Sequence, residues 1–151
     1  MRNIVIASDH AGFILKEKLR IYLTKKGFAV KDLGTYSEDR CDYPVYAASL
    51  ASLISKGKYK EGILICGSGI GVSIVANRFP GVRAALCYNV TIARLSREHN
   101  DSNVLVLGSR FVKPALARKI AGIWLNTKFG AGRHKKRLNL IKQIEEELKR
   151  K

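Results

Sequence analysis

The run Cys66-Gly67-Ser68-Gly69-Ile70-Gly71 places a thiol, a hydroxyl and three glycines directly after the apolar stretch Gly62-Ile63-Leu64-Ile65. Glycines let the backbone turn tightly and aim successive N–H groups at one point, and residues 70–77 have the apolar spacing of a helix starting behind them. Such a loop holds an anion. The same positive potential stabilises a thiolate, which makes Cys66 a usable base for moving a proton. The bland alternative is a small apolar residue closing a buried strand, the usual fate of an isolated cysteine. GxxxxGK[ST] is absent, the third glycine of GxGxxG is not in its place, and the loop follows the third apolar run rather than the first, so nucleotide binding is disfavoured. Cys41 and Cys87 have no glycine nest beside them and read as structural.

A second group is cationic. Arg133 and Arg137 stand four apart at the start of a helix predicted over 133–149, with His134, Lys135 and Lys136 between them. Cations at a helix N-terminus oppose the macrodipole, and a like-charged i,i+4 pair costs about 0.2–0.5 kcal/mol. A bound phosphate would remove the conflict. A solvated basic patch or a nucleic-acid contact is the competing explanation. His99 and Asn100 follow a helical stretch, 90–98, and precede the apolar run 104–107, so topology sets them at the amino end of a strand. Taken alone, His99 reads as a structural histidine; as a catalyst it would serve the pocket of a neighbouring subunit.

These residues need a scaffold, and the chain spells one out. Short β-branched runs at 4–7, 28–33, 62–66, 82–86 and 104–107 alternate with amphipathic stretches at 14–23, 43–55, 70–77, 90–98 and 114–125. That alternation predicts an α/β fold, a five-stranded parallel sheet between two helical layers, with Gly27 closing the first helix. In such a sheet ligands bind beyond the carboxyl ends of the strands, where Ser8-Asp9-His10, the Cys66 loop and Gly108-Ser109-Arg110 fall. The last helix carries Leu140, Ile141, Ile144 and Leu148 on one face, for its own sheet or for a partner subunit.

The 151 residues, 46% of them hydrophobic, suffice for one domain with a core. No repeat or polar linker divides them, and the softest boundary is 126–132. Met1-Arg2-Asn3 leads straight into a strand-like run, so no signal peptide is expected, and no apolar run approaches the ~20 residues of a membrane span. Three cysteines without a CxxC pair argue against a disulfide framework and for a cytoplasmic protein with free thiols. His10, His99 and His134 are too scattered to suggest a metal site. A net charge of +16 favours anionic ligands. Nucleic acid is the less favoured of these, since the cations are spread along the chain and no RNA-binding aromatic motif is present.

Six short pieces in order give the chain a resemblance to the B-type ribose-5-phosphate isomerases and, more broadly, to the family that includes the galactose-6-phosphate isomerase subunits. They are Ser8-Asp9-His10-Ala11-Gly12, Asp42-Tyr43-Pro44, Gly62 through Gly71, Ser96-Arg97-Glu98-His99-Asn100-Asp101, Leu107-Gly108-Ser109-Arg110 and Gly132-Arg133-His134. The resemblance implies a Rossmann-like α/β/α sandwich, a homodimer or a dimer of dimers with sites built from both subunits, and no cofactor. It implies interconversion of D-ribose 5-phosphate and D-ribulose 5-phosphate in the pentose phosphate pathway, with six-carbon phosphosugars (galactose 6-phosphate, allose 6-phosphate) as alternative substrates. By the same resemblance Cys66 carries the proton between C2 and C1, His99 opens the furanose ring, and Asp9, His10 and Tyr43 contact the sugar. Ser68 and the amides of Gly67, Gly69, Ile70 and Gly71 hold the enediolate. Arg133 and Arg137 take the phosphate, with His10 assisting, and Asn100 and Arg110 complete the pocket from the partner subunit. One branch of the family has a glutamate further along the loop in place of the cysteine; Val72-Ser73-Ile74-Val75 offers no carboxylate, so this chain is similar to the cysteine branch.

Overall fold

The computed structural model describes residues 1–151, in the order β1 (Asn3–Ser8), α1 (Phe13–Lys25), β2 (Ala29–Asp32), α2 (Tyr43–Ser55), β3 (Gly62–Cys66), α3 (Ile70–Ala76), β4 (Ala84–Leu86), α4 (Val90–Asn100), β5 (Val104–Gly108), α5 (Pro114–Asn126) and α6 (Arg133–Lys149). All strand pairs are parallel and the sheet order is β2-β1-β3-β5-β4.

Side chains alternate across each strand, and this sorts the core into two halves. Ile4, Ile6, Ile63, Ile65, Leu105 and Leu107 face Leu15, Leu19 and Leu23 of α1 and Ile120, Ala121 and Trp124 of α5. Val5, Ala7, Leu64, Cys66, Val104 and Val106 face Ala47, Leu50 and Ile54 of α2 and Val72 and Ala76 of α3. The expected three-layer α/β/α sandwich is therefore realised. The three central strands are buried on both faces, which is why they read as unbroken apolar runs rather than as polar–apolar alternation.

The edge strands are shorter than their apolar runs. Phe28 donates its N–H to Leu23 O and so ends α1 instead of starting β2. Val82 donates to Phe79 O in the turn that leads into β4. Helix α6 lies outside both layers: it buries no residue and leaves Leu140, Ile141, Ile144 and Leu148 exposed. Its tethers are Glu145, whose carboxylate accepts the Gly81 N–H, and a stack of His134 on His99. No helix is long and apolar enough to cross a membrane.

Candidate active site

At the carboxyl end of the sheet, three strand ends are laced together by backbone hydrogen bonds. Asp9 N–H donates to Ile65 O, Ser109 N–H to Cys66 O and Arg110 N–H to Gly67 O, while Ser109 Oγ donates to Ala11 O. Asp9 is buried, and its Oδ1 accepts the Gly12 N–H at 3.0 Å, so this carboxylate shapes the turn that carries His10. The Cys41 N–H points at His10 Nδ1 at 3.3 Å. With Nδ1 accepting, the ring proton sits on Nε2, which makes that nitrogen the donor toward a ligand.

Cys66 ends β3 with 4% of its surface exposed, and its sulfur accepts the Gly69 N–H at 3.2 Å. A backbone donor is thus aimed at the sulfur. Gly69 has a φ of +82°, and a side chain there would run into Leu86. Ile70 N–H donates to Ser68 Oγ at 3.1 Å, leaving the Ser68 hydroxyl hydrogen free to donate outward. Two loop amides expected to hold an oxyanion, those of Gly69 and Ile70, thus already serve Cys66 and Ser68. Tyr43, the first residue of α2, packs its ring where a side chain on Gly71 would stand.

The Arg110 guanidinium lies over Gly67 of its own chain, within 2.9–3.3 Å of where a side chain there would begin. This corrects the expectation that a partner subunit supplies Arg110. The reason is local: the residue follows β5 directly, and β5 pairs with β3 through Cys66 and Gly108.

The remaining predicted residues gather elsewhere. His99 near the end of α4 stacks on His134 near the start of α6, with ring centroids 4.2 Å apart and planes 17° apart. Loss of water holds the His134 imidazole below its ordinary range, and His99, Arg133 and Arg137 push the same way against Glu98. Asn100 closes α4, and its carbonyl accepts from Arg83 Nε. Because α4 returns to the start of β5, this cluster sits toward the amino ends of the strands. One chain therefore brings Asp9, His10, Tyr43, Cys66 through Gly71 and Arg110 together, and keeps His99, Asn100, Arg133 and Arg137 apart from them.

A cavity of about 820 Å³ also opens at the amino ends, lined by Arg2, Lys58, Glu61, Arg83, Arg97 and Asp101 among others. Several of its charges pair internally: Glu61 accepts from Arg2 and Arg97, and Arg83 pairs with Asp101, whereas Lys58 has no ion-pair partner. This ion network braces the fold. None of its pairs was signalled in the sequence, since Arg2 and Glu61 lie 59 residues apart. Composition and spacing also left unnoticed the contribution of Cys41 to the His10 loop.

The family model described as Ribose/Galactose Isomerase matches residues 4–141. Ribose-5-phosphate isomerase B of Escherichia coli is 46% identical over 146 residues, covering 97% of this chain and 98% of that protein. A Clostridium thermocellum ribose-5-phosphate isomerase B structure superposes with a TM-score of 0.95 at 44% identity, covering 97% and 99% of the two chains. A Mycoplasma genitalium ribose-5-phosphate isomerase B structure with bound ribulose 5-phosphate gives 0.92 at 43% identity, covering 96% and 97%. With nearly full-length similarity to the family model, to the relatives and to the solved structures in agreement, the chain belongs to the ribose/galactose isomerase family.

Proposed function

We propose that this protein interconverts D-ribose 5-phosphate and D-ribulose 5-phosphate through an enediolate, with Cys66 as the base. The observation that carries the reading is the Cys66 sulfur at the end of β3, holding the Gly69 N–H inside a glycine loop. An aldose–ketose isomerase must open the ring, remove a weakly acidic C–H proton, stabilise the enediolate and grip the phosphate. The thiolate takes the proton from C2 and returns it to C1. The Ser68 hydroxyl and the loop amides other than those of Gly69 and Ile70 donate to the oxygens on which charge develops, and each preorganised donor is worth roughly 2.7–4 kcal/mol. Asp9, His10 and Tyr43 line the sugar chain, and Arg110 adds positive charge beside Gly67. His99 opens the ring, and Arg133 and Arg137 bind the phosphate, which orients the chain remotely from the reacting carbons. No step here calls for a metal or a cofactor.

Residues at opposite ends of one sheet cannot meet in one chain, so the functional unit in this reading is a homodimer in which His99, Asn100, Arg133 and Arg137 complete the partner's pocket. The exposed apolar face of α6, with Leu140 at 48%, Ile144 at 55% and Leu148 at 65%, supports self-association. Cytoplasmic placement fits an enzyme of phosphosugar metabolism with three free thiols.

The test is a metal-free isomerase assay with ribose 5-phosphate beside allose 6-phosphate and galactose 6-phosphate, repeated with Cys66→Ala. Pentose turnover that vanishes in the variant is the expected result. Turnover on hexoses alone would change the substrate and keep the chemistry, and no turnover on any of the three would refute the reading.

A further inference from the structure

One peptide unit in the Cys66 loop is gripped at both ends. The Ser68–Gly69 amide presents its N–H to the Cys66 sulfur at 3.2 Å, and its carbonyl accepts the Tyr88 hydroxyl at 2.6 Å. Tyr88 lies just past β4 and 20 residues from Ser68, outside the six short motifs quoted from the sequence. Its ring meets Phe111 edge-on, with centroids 6.0 Å apart at 82°, so the hydroxyl approaches from a side chain that is itself braced. On the other side the amide has no room to retreat. A side chain at Gly108 would collide with the Ser68 carbonyl, and one at Gly69 would collide with Leu86.

We propose that Tyr88 is a positioning residue for proton transfer, fixing and polarising the Ser68–Gly69 peptide so that its N–H supports the Cys66 thiolate. The chemistry is that of amide resonance. A proton shared with the carbonyl oxygen draws electron density from nitrogen, so the N–H at the far end becomes a stronger donor, and hydrogen bonds in series strengthen one another by roughly 10–30% each. A water molecule could satisfy the same half-exposed carbonyl, but it would neither hold the peptide plane nor persist through turnover. Tyr88 acts through the amide and touches no reacting atom.

This inference rests on Cys66 being the base, and the experiment separates the two claims. Tyr88→Phe keeps the ring and its contact with Phe111 while removing the hydroxyl. The expected result is a kcat lower by roughly 1.5-fold to fivefold with KM nearly unchanged, at an unaltered melting temperature. In parallel, alkylation of Cys66 by iodoacetamide near neutral pH, followed by peptide mass spectrometry, should slow by a similar factor. A general loosening of the loop would raise KM and speed alkylation by exposing the thiol, which would overturn the proposal. So would wild-type values in both measurements. If Cys66→Ala kept near wild-type turnover, the base assignment would fail, and the alkylation rate alone would still decide whether Tyr88 acts on the sulfur.

Discussion

The two ends of the sheet are built on opposite principles. At the carboxyl end the chain uses backbone: amide-to-carbonyl bonds join the ends of β1, β3 and β5, glycines admit close approach, and Cys66 is held by a peptide N–H. At the amino end it uses charge, with Glu61 between Arg2 and Arg97, Arg83 on Asp101, and a histidine stack flanked by Arg133 and Arg137. A proton-transfer centre demands positions fixed to fractions of an ångström, which backbone in a buried sheet supplies. A phosphate grip demands net charge, which tolerates exposure and long side chains. The division also leaves each end short of what the other holds.

The sharpest way to break this comparison is Cys66→Ala. Loss of a general base costs about 10²–10⁴-fold, so turnover of ribose 5-phosphate should fall at least that far while calorimetry still registers binding. Arg137→Ala should leave kcat near wild type and raise KM about 10–100-fold, the worth of a hydrogen bond between charged partners. A kcat defect equal to that of Cys66→Ala would erase the distinction between the two ends. Mixing subunits tests whether the ends meet between chains. Cys66→Ala and His99→Ala are each expected to be inactive, and co-refolding them should restore about a quarter of wild-type activity, because half of random dimers then hold one intact site. No recovery would mean that both groups act within a single chain.

The smallest effect concerns Cys87, a buried thiol that burial pushes up to about 11 against the smaller, opposing influence of the Ser96 hydroxyl. The folded state thus keeps a proton that the unfolded state releases near its ordinary value of 9.0. Stability is fully present below that pH and declines as pH rises toward 11, by up to about 2–3 kcal/mol. Denaturant melts at pH 8 and pH 10.5 should show a steeper fall in wild type than in Cys87→Ala, and equal slopes would contradict it.

Much of this was legible in advance because it is local. The limits of α2, β3 and α6 follow from apolar period and terminal residues, and the loops bearing Asp9, Cys66 and Arg110 follow from where strands end. The amino-end position of His99 and Asn100 follows from the direction of α4. What stayed hidden depends on pairs distant in sequence. Trp124 donates to Ser102, Ser102 bonds Ser96, and the Arg97 guanidinium covers the Trp124 ring, a buried polar knot that no spacing rule encodes. Lys16 is equally instructive: lysine is almost never fully buried, yet here its ammonium is wholly buried against Asp32. The direction of the Arg110 side chain after β5 is equally non-local, since it is set by packing against Gly67 of the same chain.

The sheet order β2-β1-β3-β5-β4 carries a consequence for how the chain is made. Because β5 lies between β3 and β4, a nascent chain that has emerged only through α4 has no strand partner for β4, and one flank of β3 stays open. Docking of β5 closes both gaps at once, and it also brings Ser109 and Arg110 onto the Cys66 loop. The step that completes the sheet during synthesis is therefore the step that assembles the candidate site around the Cys66 loop, and an unfinished chain exposes an aggregation-prone edge before that loop is complete.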